Sequence, residues 1–375
     1  MNMKKIAQFD RNIPYNQLPL LPIPSDIIDK EVVIKWGVAS RALAELKGNV
    51  LRLPNPDILI NTISLQEAKS SSEIENIFTT NDELYRAISD KVNEENSNPA
   101  IKEVLHYREA LWSSYKELNE KEVFSQDLIV SIFQRIKKTN EGIRSPQSQV
   151  VIRRGNSDLK PGEIVYTPPR GTGVIEEKLQ NLVDYLNGTL PCEDDPLLKM
   201  AVAHYQFEAI HPFSDGNGRT GRILNLLYLV KSGLISQPVL YLSSYIIRNK
   251  DDYYFRLAGV TQRGAWKPWL LFMLDAVENT SAHTNRLIDE IVNQMAATLD
   301  YARKELKWYT KEVNELIFSQ PYVKPKLVGE VVGRSSRTTL TRYMQELARL
   351  KILTPKQAGK EVYYINNDLV RILEG

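Results

Sequence analysis

The chain has 375 residues, 42% apolar and 25% charged, a globular composition that excludes collagen-like, fibrous and disordered proteins. Its length suits two or three domains. Its net charge of +2, from 48 basic and 46 acidic side chains, is too balanced for a chain that coats nucleic acid or anionic membrane along its whole length.

The lone cysteine, Cys192, cannot form an internal disulfide, and one cysteine with four histidines supplies no zinc-type ligand set. The start, MNMKKIAQFD, lacks the apolar stretch of a secretory signal. The run 223–230 is interrupted by Asn225 and falls far short of the ~20 residues that span a bilayer. A soluble cytoplasmic protein with no membrane partner is expected.

Pro14, Pro19, Pro22 and Pro24 make residues 1–25 an extended arm. Helices are expected over 25–47, stopped by Gly48, and over 57–78 after the Pro54-Asn55-Pro56 turn. Thr80-Asn81-Asp82-Glu83 is a capping box opening another helix, and 93–99 is a polar loop. Apolar residues at 101, 104, 105, 111, 112, 115 and 118 trace one face of a long helix. Further helices follow at 128–136, at 175–186 closed by Gly188, at 197–210, and at 219–231. Residues 150–153 and 163–167 alternate like strands around a Gly- and Pro-containing loop, a small hairpin. Helices at 311–319, 327–332 and 335–350, then strand-like 352–353 and 361–365 around Gly359-Lys360, give the order of a winged helix. Residues 324–375 carry ten basic against five acidic side chains, a net +5 that leaves −3 on the rest. The expected architecture is mainly α, with regions at 1–98, 99–290 and 291–375.

The segment most informative about chemistry is His211-Pro212-Phe213-Ser214-Asp215-Gly216-Asn217-Gly218-Arg219-Thr220-Gly221-Arg222. One apolar helix ends before it and another begins within it. Gly216 and Gly218 let backbone amides turn inward, and the following helix adds its positive end, which makes a phosphate cradle. Arg219 and Arg222, three apart on that helix, can reach one polyanion. Asp215 is a hard oxygen ligand suited to Mg²⁺. His211 alone in the stretch titrates near neutrality, as a general base must.

This segment resembles the signature HxFx[D/E]GNGRxxR of the Fic family of nucleotidyltransferases at every fixed position. The resemblance runs back through 203–210 to the hairpin and, more loosely, the N-terminal helices, and is to large bacterial members with a C-terminal winged helix. It implies a Fic-type helical core and a protein adenylyltransferase using ATP and Mg²⁺. His211 would deprotonate a Ser, Thr or Tyr hydroxyl of a target protein, or of the protein itself, and Phe213 would anchor the loop. Asp215 would hold Mg²⁺. Gly216, Asn217, Gly218, Arg219, Thr220, Gly221 and Arg222 would bind the nucleotide phosphates. Ile164, Val165 and Tyr166 would belong to a flap that docks the target as an added strand. Tyr253 and Tyr254 resemble an aromatic pair lining the adenine pocket of some relatives, although Thr261 stands where some relatives have asparagine. Ser71-Ser72-Glu73-Ile74-Glu75-Asn76 fits the family's inhibitory pattern, with Ser71, Glu75 and Asn76 as fixed residues. Glu75 would pair with Arg222 and block the productive pose of ATP.

Two alternatives stand beside this reading. One is a DNA-binding regulator whose Ser335, Ser336, Arg337, Thr338, Thr339, Thr341 and Arg342 open a recognition helix; the same domain could instead contact protein. The other is transfer of UMP, phosphocholine or phosphate by the same scaffold; the resemblance implies an altered Gly-Asn-Gly-Arg stretch in the phosphate-transferring branch, and the intact stretch here favours nucleotidyl transfer from ATP. A homodimer is compatible with the sequence. His204, seven residues before His211, reads as a structural hydrogen-bonding residue.

Overall fold

The computed structural model describes residues 9–24, 27–55, 58, 62–90, 98–154, 162–334, 336–358 and 361–375. Its helices and strands, in chain order, begin with α1 (Lys30–Val50), α2 (Ile63–Ile74), α3 (Asn81–Asp90), α4 (Pro99–Lys121), α5 (Gln126–Lys137), β1 (Ile152–Arg154) and β2 (Glu163–Tyr166). Next come α6 (Val174–Asn187), α7 (Pro196–Ile210), α8 (Asn217–Lys231), α9 (Leu242–Arg248), α10 (Lys250–Arg263) and α11 (Trp266–Glu305). The tail holds α12 (Lys311–Ser319), β3 (Tyr322–Val323), α13 (Pro325–Val332), α14 (Arg337–Arg349), β4 (Thr354–Ala358), β5 (Glu361–Ile365) and α15 (Asn367–Glu374). The fold is mainly α, as expected. Among the described residues no helix is long and apolar enough to cross a membrane.

The chain forms two compact units. The first comprises Met1–Arg41, His106–Pro238 and Tyr245–Glu278; the second comprises Ala42–Leu105, Val239–Ser244 and Asn279–Gly375. The second unit draws residues from both halves of the sequence.

In the first unit, α7 is buried on nearly every side, the property of a helix with no polar face. It packs on α6 and α8, and α8 packs on α5. Asp195 caps the start of α7 by accepting from the Leu197 amide, with Pro196 in the first turn. Beside these helices β1 and β2 pair antiparallel, Ile152 opposite Tyr166 and Arg153 opposite Ile164, which makes Val165 a bulge. The connecting loop at 155–161 lies outside the described residues. Residues 9–24 run as the expected extended arm. Lys178 and Gln206 donate to the carbonyls of Leu18 and Pro19, and the Asn181 amide bonds both the N–H and the carbonyl of Leu21.

In the second unit, β5 lies between β3 and β4 in an antiparallel sheet, with α12, α13 and α14 alongside. Trp308 stacks on Tyr343 of α14 at 3.9 Å. Helix α3 is fastened to this sheet at both ends. Asp82 accepts from the Tyr322 hydroxyl and from Lys356 (2.5 Å), while Asp90 accepts from the Tyr363 hydroxyl (2.7 Å) and Lys324 (2.7 Å). Hydrogen bonds from Gln66 to Tyr85 (2.8 Å) and between Ser70 and Tyr241 (3.0 Å) then fix α2. Two lysines of the strand-bearing tail are thus engaged by carboxylates of α3.

Several boundaries differ from expectation. Helix α1 continues through Gly48 to Val50, because the buried Leu46 and Val50 outweigh the propensity cost of one glycine, about 1 kcal/mol. Its start is set by Asp29, which accepts from the amides of Glu31 and Val32. Helix α2 ends at Ile74, short of residue 78, where Asn76 turns left-handed (φ 62°). Strand β4 occupies 354–358 rather than 352–353, since Ile352 and Leu353 are buried in the core ahead of the ribbon. Strand β3 and helix α15 were not anticipated. The helix start expected at 25, Pro56 of the expected turn, the helix start expected at 57, most of the 93–99 loop, Ser335 and the Gly359-Lys360 turn lie outside the described residues.

Candidate active site

The site is built where α7 stops and α8 starts. His211 is the C-cap of α7 and takes the left-handed conformation (φ 50°, ψ 60°), uncommon for a residue with a side chain. The carbonyls around this turn are gathered from outside the helix. The Tyr166 hydroxyl donates to Ala209 (2.8 Å), and Arg144 donates through its guanidinium to Ile210 (3.4 Å) and His211 (2.9 Å). The Arg144 amide donates to Pro212 (2.9 Å). Burial pushes the Tyr166 phenol well above its ordinary pKa, so it remains a neutral donor.

The loop itself is rigidly held. Phe213 is fully buried and its ring stacks on Phe133 of α5 at 4.1 Å, nearly parallel. The Asn217 side chain accepts from the Phe213 amide (2.9 Å) and donates to the Phe213 carbonyl (2.8 Å). Gly216 is the N-cap of α8 at φ 79°, and a Cβ there would also meet the Lys137 stem at 3.3 Å. Helix α8 begins at Asn217, two residues earlier than expected, so Gly218 belongs to its first turn. The opening amides of a helix have no carbonyl partner within it and, with the dipole, favour an anion.

Arg219 and Arg222 sit on the first turns of α8 and are 2% and 1% exposed. Thr220 turns inward and donates to the Gly216 carbonyl (2.9 Å). Gly221 is the close approach between α7 and α8, where a Cβ would lie 2.7 Å from Glu208 Oε1 and 3.0 Å from the Phe207 ring. Asp215 is on the surface, its side chain 70% exposed; one oxygen accepts from the Gly216 amide (2.7 Å) and the other from Lys137 (2.8 Å). Partial desolvation would raise its carboxyl, but Lys137 and the Gly216 amide outweigh this and hold it below the usual carboxylate range. Among the described residues no group of three or more His, Cys, Asp or Glu could hold a metal.

The hairpin carries Ile164 and Val165 half-buried and Tyr166 buried. The arm lies against it: Tyr15 donates to the Thr167 carbonyl (3.0 Å), Thr167 donates to the Arg11 carbonyl (2.6 Å), and Phe9 stacks on Tyr166. Tyr253 is 2% exposed and its hydroxyl bonds His204 Nε2 at 2.9 Å, while Tyr254 projects outward, 40% exposed. His204 is the structural residue expected: buried between Tyr253 and Trp269, it is pushed down to about 3 by burial and then by the Arg222 charge. Thr261 bonds the Tyr205 hydroxyl at 2.9 Å. Ser71, Glu75 and Asn76 belong to the second unit, Ser71 buried in α2, Glu75 and Asn76 exposed just after it.

Arg144, Lys137 and Phe133 were missed from sequence. Arg144 stands in the short loop Gly142-Ile143-Arg144-Ser145-Pro146, where a solitary arginine has no spacing or periodicity to single it out.

A glycine loop joins two buried helices in a helical core flanked by a short hairpin. Residues 34–116 match the Fic/DOC family N-terminal model, and residues 294–369 match the model of the protein adenylyltransferase SoFic-like C-terminal domain. The chain is similar to a probable protein adenylyltransferase of Aquifex aeolicus (strain VF5), 26% identical over 321 residues, 84% of this chain and 80% of that one. It is also similar to protein adenylyltransferase fic-1 of Caenorhabditis elegans, 30% identical over 143 residues, 38% of this chain and 26% of that one. The chain spans about a quarter of the length of the animal relatives it matches. A Fic family protein from Desulfovibrio desulfuricans G20 shares the fold, with a TM-score of 0.53 at 20% identity over 92% of this chain and 98% of that one. The chain is thus similar to Fic family proteins along most of its length.

Proposed function

We propose that the protein is an adenylyltransferase that moves AMP from ATP to a hydroxyl side chain of a target protein. The observation that carries the reading is the 211–222 segment, in which a histidine in left-handed conformation at a helix end is followed by a loop that opens the next helix. His211 removes the proton from the target hydroxyl. The freed oxygen attacks the α-phosphorus, the bond from that phosphorus to the β-phosphate oxygen breaks, and pyrophosphate leaves. The amides opening α8 and the guanidinium groups of Arg219 and Arg222 balance the phosphate charge, so catalysis is placement and electrostatics. Mg²⁺ is held by one or two carboxylates together with phosphates and water, and an ionised, exposed Asp215 fits that requirement. When bound there, the ion would offset phosphate charge. The target aligns against the β2 flap; of the aromatic pair only the exposed Tyr254 is open to a base, because Tyr253 is buried against His204.

Glu75 acts as a brake on this transfer; its support is the motif at 71–76. The tail, with three helices and a ribbon, is a winged helix, and the engagement of Lys324 and Lys356 by α3 favours a protein-contacting role over a DNA-binding one. Incubation with ATP labelled at the α-phosphate tests the reading. Incorporation into protein is expected to be strong for Glu75→Gly, weak for the wild type and absent for Glu75→Gly/His211→Ala. No label in the Glu75→Gly protein, or equal label with and without His211, overturns the activity. Equal label in wild type and Glu75→Gly removes the brake alone.

A further inference from the structure

One side chain outside the sequence motif touches both halves of the site. Arg144 is 6% exposed, and its guanidinium donates to the carbonyls of Ile210 (3.4 Å) and His211 (2.9 Å) at the end of α7. The same group donates to the carbonyl of Pro169 (2.5 Å), three residues beyond the end of β2. Its backbone amide donates to Pro212 (2.9 Å). The left-handed backbone at His211 and the exit of the flap strand therefore hang on one planar fork. A second tie runs in the same direction, because Tyr166 at the end of β2 donates to Ala209.

We propose that Arg144 is a positioning residue that sets the target-docking strand at a fixed height against the His211 imidazole. The inference rests on the adenylyltransferase reading and extends it to a residue that contacts neither nucleotide nor target. A rigid fork with several donors can satisfy carbonyls from two segments at once, whereas a lysine ammonium on a flexible stem cannot hold the same planar geometry. Nucleotide binding depends on α8 and its arginines, so loosening the fork leaves it intact. Transfer suffers instead, because a displacement of about 1 Å in a reacting group can cost roughly a hundredfold in rate.

The test compares Glu75→Gly with Glu75→Gly/Arg144→Lys, and with Glu75→Gly/Arg144→Gln as a second variant. Lysine keeps the charge and the backbone amide, so folding is preserved. The expected result is AMP transfer slowed by about a hundredfold, with the KM for ATP unchanged and the melting temperature close to the parent's. Amide hydrogen exchange should accelerate together at 162–169 and at 211–216 in both Arg144 variants. Transfer at the parental rate, a KM for ATP that rises in step with the rate loss, or exchange that accelerates at one segment only would overturn the proposal. A Glu75→Gly parent that transfers no AMP overturns the adenylyltransferase reading instead, and the exchange comparison then still decides whether Arg144 couples the two segments.

Discussion

The side-chain amide of Asn217 closes on the backbone of Phe213 from both ends, accepting from its N–H at 2.9 Å and donating to its carbonyl at 2.8 Å. The first residue of α8 thereby dictates the shape of the loop before it, while the Phe213 ring is held by Phe133. Asn217→Ala removes both bonds in a buried setting and should cost about 2 kcal/mol, read as a lowered denaturant midpoint. Asn217→Asp keeps the acceptor but loses the donor, and should fall between wild type and alanine. An unchanged midpoint in the alanine variant would show that the loop holds its shape without this clamp.

Gly221 sets how closely α7 and α8 approach. A methyl group there meets Glu208 Oε1 at 2.7 Å and the Phe207 ring at 3.0 Å. The carboxylate can swing away, but the Phe207 ring is fully buried and has no room to yield. Gly221→Ala should destabilise the protein by roughly 1–3 kcal/mol despite the better helix propensity of alanine, seen as a drop in melting temperature. A stabilised variant would mean that the helices separate freely.

His204 is held neutral, down to about 3, by burial and by the charge of Arg222. The unfolded chain takes up the proton near pH 6.5 and the folded chain does not, so the contribution is full above that value. It is lost as pH falls toward 3, by about 1.4 kcal/mol per pH unit for one proton. Urea titrations between pH 7 and 4 should show this slope in the wild type and lose it in His204→Gln. Equal slopes in the two proteins would contradict a neutral buried imidazole.

Asp82 behaves in the opposite half of the acid range. Desolvation would raise its carboxyl, but hydrogen bonds from Lys356, Tyr322 and Arg86 win and hold it down at about 2. Its contribution is complete above pH 4, the unfolded value, and disappears as pH falls through about 2. Asp82→Asn should weaken the second unit at neutral pH by an amount on the order of 1 kcal/mol, given its partial exposure. Loss of the Tyr322 and Tyr363 fluorescence environment in acid, earlier for the variant, is the measurement.

The motif was legible because its twelve residues are contiguous and each type has a local reason to be there. Local rules also found the capping box, where Thr80 and Glu83 bond each other's backbone, and the end of α6 at Gly188. What escaped depends on distant partners. Strand β3 has two residues and exists because β5 pairs with it. The 40-residue helix α11 hides its period behind buried Thr280, Ser281 and Thr284. Arg144 acquires meaning only when four carbonyls from two separate segments converge on it. The two-unit division was invisible for the same reason, since carboxylates of α3 find their partners near the opposite end of the sequence.

That last pairing has a consequence for synthesis on the ribosome. Asp82 precedes Tyr322 by 240 residues and Lys356 by 274, so α3 emerges long before either partner exists, with Arg86 of its own helix as the one cation beside Asp82 until then. The contacts of Asp82 and Asp90 with Tyr322, Lys324, Lys356 and Tyr363 can form only once the ribbon has been synthesised. A premature stop ahead of Tyr322 would leave the nascent product with that latch permanently open.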